Sequence, residues 1–149
     1  MPATGKSTFG RYLAAQRGFA HYDLERHPDG WPRPTLKASW DTSRPQFVHD
    51  LTEIHARVVL DWGFPPGCVG WVRELQTAGV SLVWFTGDLG RARHLFQARD
   101  ARPVEAFDAQ VSAIQAAGLP DALRCTVVSA LAKDGSYVSC EGIEELVFA

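Results

Sequence analysis

The sequence predicts an α/β fold, and three observations predict it. Short apolar runs rich in β-branched and aromatic residues alternate with stretches whose apolar residues recur at i, i+3, i+4 and i+7. Three of the runs are continuous rather than alternating, the pattern of strands covered on both faces in a parallel sheet. A Gly-Lys-Ser-Thr stretch, Gly5 to Thr8, opens the first helical pattern, where a strand-to-helix turn is expected.

Phe9, Tyr12, Leu13 and Gln16 keep helical spacing, and Gly18 stands where that helix would stop. The first strand follows at residues 19–24, FAHYDL. Residues 25–47 hold four prolines and read as a long loop. A second helical stripe, Phe47, Val48, Leu51, Ile54, His55 and Val58, follows Thr42-Ser43-Arg44-Pro45 and leads to a strand at residues 57–62, RVVLDW. Trp71, Val72, Leu75 and Ala78 form a third stripe that stops at Gly79, before a strand at residues 81–85, SLVWF. Ala92, Leu95 and Phe96 mark a helix after that strand, and Val104, Phe107, Val111 and Ile114 mark another between Pro103 and Gly118. The last strand is at residues 125–131, CTVVSAL. Strand and helix alternate throughout, as right-handed crossovers between parallel strands require.

The chain has 149 residues, 46% of them hydrophobic, which suits one compact domain over residues 1–149. A formal charge of −2 argues against a protein built to hold nucleic acid, a task that shows as a basic face. Cys68, Cys125 and Cys140 cannot all pair and show no Cys-x-x-Cys spacing, so the expected setting is a reducing cytoplasm. No apolar stretch of membrane-spanning length is present, and no membrane partner is expected.

The opening residues carry the strongest chemical signal. A phosphate-binding P-loop is Gly-x-x-x-x-Gly-Lys-Ser/Thr: its backbone N–H groups curl around a polyphosphate, the lysine reaches the outer phosphates, and the hydroxyl holds Mg²⁺. Gly5, Lys6 and Ser7 fit the second half, Met1 to Thr4 fill the free positions, and the first glycine of the pattern would fall just before Met1. The following helix adds a positive dipole end for the phosphates. A helix cap made by Thr4 or Ser7 would explain the same residues without a ligand.

With this loop at the head of an α/β pattern, the chain resembles the small P-loop kinases of the nucleoside, shikimate and gluconate kinase type over nearly its full length. The resemblance implies a three-layer P-loop NTPase fold whose parallel sheet has the order 2-3-1-4-5, with ATP and Mg²⁺ as cofactors. It also implies that the first strand of that order is missing here, so that the chain is an N-terminally truncated domain. An unpaired channel is then expected between the second and third of the four visible strands, because both would show unbonded ladder groups.

Phosphoryl transfer asks for a phosphate cradle, a metal, a carboxylate near the acceptor hydroxyl, and cations over the migrating group. Lys6 and the amides around Gly5 supply the cradle with Thr4, Ser7 would hold Mg²⁺, and Thr8 would reach the α-phosphate. Asp61 closes the run VVLD at the C-terminal end of a strand, where ligands gather in open α/β sheets; there it would bind the metal or orient the attacking group, or merely cap the turn at WGFPPG. The resemblance implies an acceptor-contacting carboxylate at Asp23, with Glu25 in reserve, although a solvated aspartate at a strand end is the plain alternative. Asp88 is the next carboxylate in line. His21 and His27 lack a third ligand with convincing spacing and are expected to be structural or substrate-facing.

Trp31, Trp40, Arg33, Lys37 and Arg44 lie in the stretch where the resemblance places the acceptor site, as stacking rings and anion-binding cations or as a surface loop that packs down. Arg91, Arg93, Arg99 and Arg102 follow the third visible strand, where the resemblance implies a lid. Arg91 or Arg93 is expected to reach the nucleotide, and a solvated helix face accounts for the others. The expected function is ATP-dependent phosphoryl transfer to a small hydroxyl-bearing metabolite or nucleotide. The alternative is a nucleotide-binding P-loop protein without kinase activity, a regulatory module or decayed paralogue.

Overall fold

The computed structural model describes residues 1–25, 33–99 and 103–149. The chain is mixed α/β. In order, its elements are α1 (Lys6–Arg17), β1 (Ala20–Asp23), α2 (Pro34–Thr42), α3 (Arg44–Ile54), β2 (Val58–Asp61), a 3-10 turn (Pro66–Cys68), α4 (Val69–Thr77), β3 (Val83–Gly87), α5 (Leu89–Arg99), α6 (Val104–Ala116), β4 (Thr126–Leu131) and α7 (Cys140–Val147). The chain divides into two compact units, residues 1–9 with 82–149 and residues 10–81, and the boundary falls within α1.

Each unit holds one parallel pair of strands. In the second unit β1 pairs with β2, Ala20 opposite Val58 and Asp23 opposite Asp61. In the first unit β3 pairs with β4, Val83 opposite Thr126, with an irregularity at Thr86/Gly87 that brings Gly87 opposite Leu131. Parallel neighbours cannot be joined by a tight turn. The connections accordingly run through α2 and α3 in one unit and through α5 and α6 in the other. The described strands form two two-stranded sheets, β1-β2 and β3-β4, and no ladder joins β2 to β3 among the described residues. On β3 the carbonyl of Phe85 instead accepts a hydrogen bond from the terminal ammonium of Met1, at 3.0 Å.

The four predicted strands are all present, with three corrections. Val58 opens β2 instead of continuing a helical stripe: α3 stops at Ile54, His55 is extended, and the β-branched pair Val58-Val59 takes up the ladder. β3 starts two residues later than the apolar run, because α4 ends in a Schellman turn, with the amides of Gly79 and Val80 bonded to the carbonyls of Gln76 and Leu75. β4 is not covered on both faces. Val128 and Ala130 are buried while Val127 and Ser129 are exposed, the period-two alternation of a strand with one packed face.

The stretch read as a long loop contains α2, and α3 begins inside it too. Pro34 stands in the first turn of α2, and Leu36, Ser39 and Trp40 form its buried stripe at i, i+3 and i+4. Ser43 then caps α3 by accepting from the Gln46 amide at 3.3 Å. The expectations for His27, Trp31 and Arg102 lie outside the described residues.

The core of the second unit is built from Tyr22, Leu36, Trp40, Phe47, Leu51 and Leu75, and that of the first includes Ala3, Ala92, Phe96, Phe107 and Leu131. Trp40 and Phe47 meet edge to face at 5.0 Å and 74°, which locks α2 to α3. None of the described helices is long and apolar enough to cross a membrane. Phe47 is fully buried. Phe47→Ala should therefore lower stability by about 3–5 kcal/mol in chemical denaturation, out of a typical total of about 5–15 kcal/mol.

Candidate functional site

The segment leading into α1 is a closed loop. Ala3 has φ 53° and Gly5 has φ 91°, so two residues in three take left-handed backbone and the chain curls on itself. The Met1 carbonyl stands at the centre of the curl, accepting from the Thr4 hydroxyl at 2.8 Å and from the Lys6 ammonium at 3.0 Å. Thr4 is almost wholly buried. The Gly5 carbonyl accepts from the Phe9 amide at 3.0 Å, the first bond of the helical ladder. The amides of Lys6, Ser7 and Thr8 thus sit in the first turn of α1. Lys6, with its ammonium on the Met1 carbonyl, spans the ends of a ring of six residues.

A residue that sequence reasoning missed lies against this loop. Tyr137 donates its hydroxyl to the Ala3 carbonyl at 3.0 Å, and its ring lies 3.4 Å from where a side chain on Gly5 would begin. Glycine is favoured at position 5 for its positive φ. Tyr137 belongs to the turn after β4, held back by a bridge to Leu131 and by the Val138 amide on Ala130. Only the sequence distance of 134 residues concealed it.

The same turn receives Arg91. A Cβ on Gly135 would lie 2.2 Å from Arg91 Nη2, so the guanidinium rests directly on the Gly135 backbone. Arg91 Nε is buried and has no hydrogen-bond acceptor among the described residues. Beside it, Asp134 accepts from the amide and hydroxyl of Ser136 at 2.8 and 2.6 Å. These hydrogen bonds first, and the charge of Arg91 last, hold its carboxyl below the usual range.

Arg93 is differently occupied. Its Nε and Nη2 donate to the two carboxylate oxygens of Asp108 at 2.8 and 2.9 Å, a fork that ties α5 to α6 on the surface. Asp88, the reserve carboxylate, caps α5: its Oδ1 accepts from the Arg91 amide at 2.9 Å. Arg99 is exposed in the last turn of α5.

The second unit holds the carboxylates. Asp23 and Asp61 end their strands directly opposite each other. Side chains two apart along a strand share a face, so His21, Asp23 and Asp61 stand on one face of the pair. Asp61 is buried, and its Oδ2 lies 3.8 Å from Nε2 of His21. His21 in turn lies so near Gly10 that a Cβ there would be 2.6 Å from Nε2. The half-buried Asp23 accepts from the Glu25 amide at 2.9 Å, closing an Asx turn. Glu25 is exposed, its carboxylate against the Gly63 backbone. Among the described residues no three His, Cys, Asp or Glu side chains form a metal-holding group.

The loop residues Thr4, Gly5, Lys6, Ser7 and Thr8 therefore fall in one unit with Arg91 and Arg93, and Asp23 and Asp61 fall in the other. Of the cations expected around an acceptor, Arg33 precedes α2 and is exposed, Lys37 pairs with Asp41 one turn along that helix, and only Arg44 is buried.

Comparison of the chain with protein-family models, with curated proteins and with solved structures finds no match in any of the three.

The Arg93 fork holds the Asp108 carboxyl below the usual carboxylate range. A lowered carboxylate is charged at neutral pH and loses its partner only as pH falls through that depressed value. In an NMR titration, Arg93→Ala should return Asp108 to the ordinary range near pH 4 and leave the chain folded.

Proposed function

We propose that the chain is an ATP-dependent, Mg²⁺-requiring phosphotransferase acting on a small hydroxyl-bearing metabolite or nucleotide. The observation that carries this reading is the closed loop of residues 1–6 at the head of α1, with Lys6 drawn across it onto the Met1 carbonyl. First-turn amides at a helix head together with a lysine ammonium are the donor set a polyphosphate needs. The strand pairs β1–β2 and β3–β4 support it, being the outer pairs of the order 2-3-1-4-5.

Within this reading, bound MgATP supplies the phosphoryl group, and the protein supplies grip, charge and orientation. Lys6 leaves the Met1 carbonyl for the outer phosphates, where a charged acceptor replaces a neutral one. Thr4 remains buried on the Met1 carbonyl and keeps the curl in shape, Gly5 allows the approach, and Thr8 serves the inner phosphate. Ser7 is the hydroxyl fitted to hold the metal from the loop, and in the other unit Asp61 is the carboxylate fitted to a metal or to an attacking group. Asp23, opposite Asp61 in the ladder, orients the acceptor hydroxyl. Arg91, with its buried Nε lacking an acceptor, is the cation available for phosphate charge, whereas Arg93 is spent on Asp108.

Lys6→Ala should weaken MgATP binding by about 10–100-fold, the range of a lost hydrogen bond to a charged group, with an unchanged circular dichroism spectrum. Calorimetry showing parent-like affinity would mean the loop does not hold a nucleotide. Asp23→Asn and Asp61→Asn should each cut turnover while nucleotide affinity stays within about tenfold. Unchanged ATP consumption in both would move the chemistry away from these carboxylates.

A further inference from the structure

Arg44 is the most unusual cation of the second unit. It opens α3, it is 6% exposed, and its charged end lies among tryptophans. The guanidinium carbon is 4.6 Å from the ring centre of Trp71 and 5.5 Å from that of Trp40. Trp62 lies 6.3 Å from Trp71 with the rings 25° apart, and it meets Trp40 edge to face at 5.2 Å. Two aromatic residues, from α2 and α4, thus flank one positive charge, and Trp62 at the end of β2 packs against both of them. Such rings attract the faces of a guanidinium but offer nothing to the N–H groups at its edge.

Those edge donors are poorly served. Arg44 Nε comes within 3.4 Å of Glu74 Oε2, an ion pair without hydrogen-bond geometry. Nη1 is buried and has no acceptor among the described residues. A purely structural buried arginine would have its donors matched, because an unmet charged donor shut away from water is costly. The neighbours that frame it are also able to give way. Trp71 is 41% exposed, and the Glu74 side chain is half exposed on the solvent side of α4.

We infer that Arg44, flanked by Trp40 and Trp71 with Trp62 packed behind them, forms a binding site for the oxyanion of a small molecule with a flat or apolar body. The oxyanion, carboxylate or phosphate ester, meets the guanidinium edge in its plane, where two oxygens match the donor geometry. The flat body lies against the exposed ring of Trp71, and Glu74 yields its position to the incoming charge. The site belongs wholly to the second unit, in the stretch where the resemblance places the acceptor; it deepens that expectation and stands whatever the loop at residues 1–6 holds.

Intrinsic tryptophan fluorescence of the whole chain, without nucleotide, tests it with four probes: benzoate, phenyl phosphate, inorganic phosphate and uncharged benzamide. Benzoate or phenyl phosphate should quench the signal saturably. Whichever binds tighter names the oxyanion, while benzamide should bind at least about tenfold more weakly. Arg44→Gln should weaken the tighter probe at least about tenfold, and Trp71→Ala should weaken it as well. Glu74→Gln, a surface change that leaves the core untouched, should tighten it by removing the competing carboxylate. Lys6→Ala should leave it unchanged, which separates this site from the phosphate loop. Benzamide binding as tightly as benzoate, no saturable quenching by either aromatic oxyanion, or binding lost in Lys6→Ala but kept in Arg44→Gln would overturn the inference. Should Arg44→Gln fail to fold, parent-like or weakened binding in Glu74→Gln overturns it instead.

Discussion

The Met1 carbonyl is the point on which the first unit is organised. Thr4 and Lys6 both donate to it, and those two bonds hold a turn in which Ala3 and Gly5 take left-handed backbone. A left-handed alanine persists only where its surroundings over-determine it. Here the surroundings are the buried Thr4 beneath it and the Tyr137 hydroxyl on its carbonyl. The curl aims the start of α1, and α1 aims its first-turn amides. The same curl sets the turn after β4 against the loop through Tyr137, and that turn carries Gly135, on which Arg91 lies. A short network thus joins the loop, a helix and an arginine that are distant in sequence.

The second unit solves a different problem, how to place charge on a small parallel pair. Asp61 is buried at the end of β2 with His21 beside it, and Asp23 ends the neighbouring strand at the same level. Two carboxylates at one level repel, and their separate settings relieve this, Asp23 half-buried in an Asx turn and Asp61 beside an imidazole. The tryptophans do similar work for Arg44, whose charge would be costly among apolar rings if their faces did not attract it.

Among the arginines after β3, geometry divides what composition treats alike. Arg93 gives both arms of its fork to Asp108 and fastens α5 to α6. Arg91, two residues earlier and a different face of the same helix, points its guanidinium at the turn beside the loop. A 100° rotation per residue along α5 accounts for the difference. Asp88 is spent in the same economical way, as the cap that starts this helix.

Much of the fold was legible in local pattern. The four strands, the helices between them and the glycine stops at positions 18, 79 and 118 follow from apolar spacing and from backbone that turns left-handed at glycine. The turn at Gly5 that opens α1 was legible too, because the glycine stands directly before a helical stripe. α2 escaped notice because its stripe is only nine residues long and set among prolines, and Val58 was ambiguous because a short apolar run fits either period. Tertiary structure alone decided that Arg91 and not Arg93 lies beside the loop turn, that Tyr137 holds Ala3, and that Trp40 and Trp71 flank Arg44. Each of these joins residues far apart in the chain, and sequence periodicity records which face a residue takes but not which distant residue it meets there.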